Sequence, residues 1–456
     1  MTGSLDFRGK YVLVFGAKRS GVAAVELLLK QGARVRVMDA QAPTPEEQNR
    51  FDSLGVAVVP QTPDNMSDGG REPDVIVLSP AVPNDLPILE SAFRKGTPII
   101  GEVELAYPFL RGPIIGITGS NGKTTTTALT GHLLRECGIP CQVGGNISTA
   151  TASLVESSSA EKWNVLELSS FQLETAFSFR ANIAACLNVT PDHLDRHKTF
   201  EIYASAKERL FATQHADDSA VLNFDDAVCR QFAERATAKV FWFSSSHRVP
   251  AGIWLDGDEL RWNNEPVLRR SQIKLRGLHN VENVMAASAI AHLAGAKFDR
   301  IAAAVSSFPG VEHRIEFVRT LDGVDYFNDS KATNVDAALK AIEAFPAGLW
   351  IILGGKDKGG DYAPLREPLR ERAKAALLIG APPPYPYAAA PILKNALEDA
   401  VPLVECGTLE KALRHARQNA APGDIVLLAP ACASFDQFEN YEQRGRVFKQ
   451  LVTELF

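Results

Sequence analysis

Short apolar runs recur along the chain, and most are followed by a stretch with helical periodicity. Tyr11–Phe15 and Val35–Met38 enclose the helical stretch Val22–Gln31, and Asp74–Leu78 reads as a further strand. Ile114–Thr118, Val165–Leu168 and Ala184–Asn188 continue the pattern, as do Trp350–Leu353, Ala375–Ile379 and Asp424–Ala429. This alternation predicts the α/β class, with parallel sheets covered by helices. Ligands of such sheets bind beyond the carboxyl ends of the strands. The polar segments that follow each strand are therefore the candidates for chemistry.

At roughly 150 residues per domain, 456 residues suggest three domains, each long enough to bury a core. Two Pro/Gly punctuation points, Gly101–Pro113 and Phe308-Pro309-Gly310, divide the chain into expected domains 1–101, 102–310 and 311–456. The second point follows two expected helices, Asn283–Ala296 and Ile301–Ser307. The Pro-rich segment Ala381–Pro391 reads as a surface loop. A net charge of −6 argues against a constitutive nucleic-acid binder, which carries a clustered basic face. No run approaches 18 apolar residues without a charge, and Met1–Lys10 has no apolar signal core, so no membrane partner is expected. Six cysteines without a CxxC pair read as reduced thiols, in keeping with a cytoplasmic protein.

The first glycine loop, Gly16-Ala-Lys-Arg-Ser-Gly21, follows a strand and opens a helix. A dinucleotide fingerprint needs a second glycine at position 18, where backbone approaches the pyrophosphate, and Lys18 stands there. Asp39 ends the second strand as a ribose-binding acid would. Three readings stay open: a dinucleotide site, a nucleotide diphosphate held at the helix N-terminus with Ser20 as donor, and a structural turn with solvated Lys18 and Arg19.

The second loop is far more specific. Ile114–Thr118 leads into Gly119-Ser-Asn-Gly-Lys-Thr124, followed by Thr125. Backbone amides there can cradle phosphates, Lys123 can bridge β and γ oxygens, and Thr124 can ligate magnesium. The strict Walker spacing would place a glycine at position 117, which is Ile117, so this is a variant phosphate loop.

Downstream, Glu167 ends a strand, and Asn188-Val-Thr-Pro-Asp-His193 forms a polar turn after another. Carboxylate and imidazole can hold Mg²⁺ beside phosphates, and a capping Glu167 and a turn His193 are the plainer alternatives. Lys207 reads, from its surroundings in sequence, as an exposed helix lysine. Asn280 and Asn283 share one helix face, as caps or as amide donors to a nucleotide. Three strand-end polar segments, Asn328–Asn334, Gly354–Gly359 and Pro430–Phe438, suggest a binding face for a small carboxylated substrate.

Together, Gly119–Thr124, Glu167-Leu-Ser-Ser-Phe-Gln-Leu-Glu174, Asn188–His193, Asp329-Ser-Lys-Ala-Thr-Asn334 and Ser434-Phe-Asp-Gln-Phe438 resemble the Mur ligases, in particular their D-glutamate-adding type. The likeness runs from Gly9 to the C-terminus. It implies a Rossmann-like N-terminal domain for a UDP-sugar, a central P-loop ATPase-like domain, and a Rossmann-like C-terminal domain for the amino acid. The implied reaction adds D-glutamate to UDP-N-acetylmuramoyl-L-alanine through an acyl phosphate, in a monomer using ATP and two Mg²⁺ ions.

The resemblance also implies roles for single residues. Gly119, Asn121, Gly122, Lys123, Thr124, Thr125, Asn280, Asn283, Arg314 and Asp329 would bind the nucleotide. Thr124, Glu167, His193 and a carbamylated Lys207 would hold metal, with Lys123, His193 and Lys207 catalytic. Ser20, Asp39 and Asn146 would contact the UDP-substrate. Lys331, Thr333, Lys358, Ser434, Phe435 and Tyr441 would surround D-glutamate. The sequence departs from the family pattern at Lys18, Gln41, Ala81 and Tyr441, mostly in the UDP-binding part. Competing readings are a related ligase using another amino acid, an NAD-dependent oxidoreductase, and a non-catalytic nucleotide-binding regulator.

Overall fold

The computed structural model describes residues 6–382 and 385–455, so the first five residues of the segment read as lacking a signal core, and Pro383–Pro384 of the Pro-rich segment, lie outside it. Two compact units emerge: one runs up to Gln272 and includes Glu282–Phe308, and the other joins Ile273–Val281 to Pro309 and beyond.

The first unit holds two sheets. β1 (Tyr11–Phe15), β2 (Arg34–Asp39), β3 (Val58–Pro60), β4 (Val75–Leu78) and β5 (Ile99–Gly101) are all parallel, in the order β3-β2-β1-β4-β5. Every residue of β1 and β4 is buried, as strands covered on both faces require. The chain leaves β1 toward β2 and returns on the other side at β4. That reversal opens a crevice at the end of β1, where the first glycine loop lies.

The larger sheet contains β6 (Ile114–Thr118), β7 (Cys141–Gly145), β8 (Trp163–Glu167), β9 (Ile183–Cys186), β10 (Ser219–Asn223), β11 (Lys239–Ser244), β12 (Gly252–Asp256), β13 (Glu259–Trp262) and β14 (Glu265–Arg269). Its order is β14-β13-β12-β11-β10-β9-β6-β8-β7. β6 lies between β8 and β9, which places the phosphate loop at the second reversal point. The expectation of parallel strands holds through β12, but β12–β14 form an antiparallel meander.

The second unit holds β15 (Glu316–Leu321), β16 (Val324–Asn328), β17 (Leu349–Gly354), β18 (Ala373–Ile379), β19 (Leu403–Gly407) and β20 (Ile425–Leu428), in the order β15-β16-β20-β17-β18-β19. Only β15 is antiparallel within it. The carboxyl ends of β16, β20 and β17 are neighbours, so the three polar segments read from the sequence leave the sheet side by side.

Helix starts follow their caps. Asn334 and Asn440 accept the Ala337 and Gln443 amides at 2.8 and 2.7 Å, and Ser169 with Gln172 forms a capping box. The helices expected at Asn283–Ala296 and Ile301–Ser307 span Leu278–Leu293 and Phe298–Ser307. The described part of the Pro-rich segment is irregular up to Ala390, and Pro391 then occupies the first turn of a helix, where no amide is needed. All six cysteines are free. Among the described residues no helix is long and apolar enough to cross a membrane.

Candidate active site

The phosphate loop is shaped by its own backbone. Gly119 has φ +153 and Gly122, at the N-cap of the helix Lys123–Glu136, has φ +83. A Cβ on Gly122 would lie 2.3 Å from Asn283 Oδ1, so only glycine fits there. Asn188 pins the loop from the next strand end: its Oδ1 accepts the Asn121 amide at 2.8 Å and its carbonyl accepts the Ser120 amide at 2.9 Å. Ser120 Oγ in turn donates to Thr190 O and lies 2.9 Å from Tyr203 Oη. Lys123 donates to the carbonyls of Gly119 and Ser120 at 2.7 and 2.8 Å, folded back over the cradle. Thr124 and Thr125 are buried at the start of the helix.

Lys207 overturns the expectation of a solvated helix lysine. It is 1% exposed, donates to Gly119 O at 2.8 Å and lies 4.5 Å from the Tyr203 ring centre. Burial, reinforced by the charge of Lys123, pulls its pKa down to about 7. Two amines thus converge on one carbonyl oxygen. The sequence concealed this because the helix Phe200–Ala212 presents Lys207 inward.

Glu167, 1% exposed at the end of β8, is held by Asn146. Asn146 Nδ2 donates to Glu167 Oε1 at 2.9 Å, and its backbone amide to Glu167 O at 2.8 Å. His193 adopts φ +53, with its ring 4.9 Å from that of Phe171 and Nε2 3.6 Å from Asp192 Oδ2. Behind it, the unforeseen His197 is buried, bonded to Ser170 Oγ at 2.9 Å and beside Glu174 at 3.1 Å, and burial drops its pKa to about 4. The strands that precede Thr124, Glu167 and His193 are neighbours in the sheet, and hydroxyl, carboxylate and imidazole are donor types that suit Mg²⁺, as amines suit phosphate oxygens. Asn283 accepts from Thr126 Oγ1 at 3.2 Å, which joins the helix Leu278–Leu293 to the phosphate-loop helix. Asn280 Nδ2 donates to Arg276 O at 2.7 Å.

In the first glycine loop, Asp39 accepts the Ala17 amide at 2.7 Å and the Gln41 amide at 2.8 Å, so the expected ribose acid also fixes backbone. Gly16 packs against Ser79, where a Cβ would approach Oγ to 2.7 Å. Ser20 is half-buried in the first turn of the helix Arg19–Lys30.

In the second unit, Arg314 and the fully buried Asp329 face one another electrostatically. Burial raises the Asp329 pKa to about 7, against the pull of Arg314. Lys331 lies 5.2 Å from the Tyr441 ring centre. The Thr333 amide donates to Lys331 O, while Ser434 is buried, and Lys358 and Phe435 are exposed. Arg444, not foreseen, is fully buried beneath this face. It donates to Ser330 Oγ and O at 3.0 and 2.8 Å and to Cys432 O at 3.3 Å, tying two of the three segments together. Tyr362 Oη donates to Asp357 at 2.7 Å and lies 3.2 Å from Cys432 Sγ, tying the third. A basic residue inside the pattern of the helix Tyr441–Glu454 was the available signal for Arg444.

Three family profiles match the chain: "Mur ligase MurD-like, N-terminal domain" over residues 10–101, "Mur ligase middle domain" over 117–291, and "Mur ligase, glutamate ligase domain" over 313–432. The chain is 56% identical over 451 residues to a UDP-N-acetylmuramoylalanine–D-glutamate ligase of Solibacter usitatus, covering 99% of each. It is 48% identical to the protein of the same name from Koribacter versatilis, again covering 99% of each. Its fold is similar to that of the UDP-N-acetylmuramate-alanine ligase MurC of Thermotoga maritima, at TM-score 0.62, 18% identity and 97% and 99% coverage. The MurF ligase of the same organism, in complex with ADP, gives TM-score 0.60 at 18% identity, with 100% and 98% coverage.

Proposed function

The chain belongs to the Mur ligase family, and from that membership we infer an ATP-dependent amide ligase that adds D-glutamate to UDP-N-acetylmuramoyl-L-alanine in peptidoglycan precursor synthesis. The observation that carries this reading is the 56% identity, across 99% of both chains, to a relative named for that reaction.

A carboxylate is a poor electrophile, so the L-alanyl carboxylate oxygen first attacks the γ-phosphorus of ATP, and ADP leaves. The D-glutamate amine then attacks the acyl carbon. The tetrahedral intermediate collapses with loss of inorganic phosphate, the amine proton passes to a base, and an amide remains. His193 has one basic ring nitrogen, so it would either hold metal or, as the exposed imidazole beside Asp192, take that proton at Nε2.

Lys123 would exchange its two carbonyl partners for β and γ oxygens and neutralise their charge. Thr124, Glu167, His193 and Lys207 would hold up to two Mg²⁺ ions, which supply charge neutralisation on the transferring phosphoryl group. Two neighbouring amines would repel such ions, and modification of Lys207 removes that conflict. With a pKa of about 7, a large share of Lys207 is the neutral amine at neutral pH. Its lone pair can attack CO₂, forming an N–C bond with loss of a proton to water, and leave an anionic carbamate.

Gly119, Asn121, Gly122, Thr125, Asn280, Asn283, Arg314 and Asp329 would bind ATP. Ser20, Asp39 and Asn146 would contact the sugar nucleotide. Lys331, Thr333, Lys358, Ser434, Phe435 and Tyr441 would take the D-glutamate carboxylates. We take 1–101, 102–310 and 311–456 as the corresponding domains. One chain supplies all these residues, which supports action as a monomer, and dependence on ATP and a nucleotide-activated sugar supports a cytoplasmic setting. The test is phosphate release with ATP, UDP-N-acetylmuramoyl-L-alanine and, in turn, D-glutamate, L-glutamate, meso-diaminopimelate or L-lysine. Stimulation by D-glutamate alone is expected; release indifferent to D-glutamate refutes the assignment.

A further inference from the structure

Lys18 and Arg19 are adjacent cations at the end of β1, yet they face different partners. Lys18 Nζ pairs with Glu47 at 2.9 Å. Arg19 Nη2 instead donates to the carbonyl of Asn146 at 3.3 Å, 127 positions along the chain and just past the end of β7. Asn146 is gripped on its other side by Glu167 through the two hydrogen bonds described above. Backbone contact there is close, since a Cβ on Gly145 would lie 2.3 Å from Glu167 O. The sequence Arg19–Asn146–Glu167 thus runs unbroken from the first glycine loop to the carboxylate beside the phosphate loop.

Two further features bear on the loop end. The helix that Arg19 opens has no acidic residue in its first turn and no side-chain cap, so its amides and the guanidinium present one positive face. The Ala17 amide is already taken by Asp39, which leaves the helix start and Arg19 as the local anion-binding groups. A single exposed arginine–carbonyl bond adds little stability. Its consequence is positional.

We propose, on the basis of the sugar-nucleotide and ATP assignments above, that Arg19 is a positioning residue that couples the two ligand sites of this unit. A diphosphate drawn to the helix start fixes the guanidinium. The guanidinium fixes Asn146, and Asn146 fixes Glu167, the carboxylate assigned above to the Mg²⁺ that would accompany the ATP phosphates. Binding at either site therefore strengthens the other by the same factor.

The experiment is calorimetry of UDP-N-acetylmuramoyl-L-alanine binding to the full chain, with and without a non-hydrolysable ATP analogue and Mg²⁺. Wild type, Arg19→Ala and Arg19→Lys are compared, with melting temperatures recorded for each. The analogue should tighten substrate binding to wild type at least about five-fold, and substrate should tighten the analogue equally. In Arg19→Ala both enhancements should fall below about two-fold at an unchanged melting temperature, with Arg19→Lys between the two. A full enhancement in Arg19→Ala, or none in wild type, overturns the proposal. D-glutamate-dependent phosphate release by wild type is measured first. Its absence would remove the assigned function itself, whereas its presence beside an undiminished Arg19→Ala removes the coupling alone.

Discussion

Replacing Glu102 by Gln should change how stability responds to pH by an amount the structure fixes. Glu102 follows β5 and is 2% exposed; Oε1 accepts the Ala152 amide at 2.5 Å, and Oε2 is buried with no hydrogen-bond partner among the described residues. Burial raises its pKa from the ordinary 4.5 to about 7, against weaker opposing effects of the Ala152 amide and the Arg19 charge. Between those two values the folded chain holds a proton that the unfolded chain has lost. The stabilising contribution is therefore complete below pH 4.5 and is lost as pH rises through 7. At about 1.4 kcal/mol per pH unit the whole loss is about 3 kcal/mol, of which about 2 kcal/mol falls between pH 5.5 and 8.5.

Glutamine keeps the shape and an oxygen for the Ala152 amide but does not titrate. Whatever fixed cost its amide carries cancels when the mutant and wild type are compared at two pH values. At roughly 2 °C per kcal/mol for a unit of this size, the difference in melting temperature should shift by about 4 °C in favour of Glu102→Gln from pH 5.5 to 8.5. Parallel thermal melts of the two proteins at the two pH values measure it. A difference that stays constant, or moves toward wild type, would refute the reasoning, because it would mean that burial does not hold the proton.

Three further outcomes are expected. Lys207→Ala should lose turnover on the order of 100-fold, and bicarbonate should fail to restore it, whereas wild type assayed in CO₂-depleted buffer should regain activity when bicarbonate is added. Arg444→Ala should cost about 3 kcal/mol in chemical denaturation and raise the KM for D-glutamate, since it strips donors from Ser330 and Cys432 together. Gly122→Ala should raise the KM for ATP roughly 30-fold through a strain of about 2 kcal/mol, because it forces a side chain into φ +83 against Asn283; steady-state kinetics decides this.

What the sequence disclosed and what it concealed divide along a physical line. The strand–helix alternation and the phosphate loop are local: fully apolar runs require two covered faces, and Gly-Lys-Thr at a strand end has few other uses. The meander β12–β14 is also local, with tight turns at Gly257 (φ +60) and Asn263 (φ +53), but its period-2 pattern belongs to a different grammar from the alternation around it. Lys207, Arg444 and Arg19 are a different matter. Each is a cation whose partner is a backbone carbonyl, at 88, 114 and 127 positions' remove for Gly119, Ser330 and Asn146. Carbonyls carry no residue identity, so nothing in the partner's sequence advertises the contact, and composition defaults to a solvated side chain. For the same reason, these bonds tolerate change in the partner's side chain but not in the donor. Substitution of Arg444 should therefore be felt more sharply than Ser330→Ala, which removes one hydroxyl acceptor and leaves the Ser330 and Cys432 carbonyls in place.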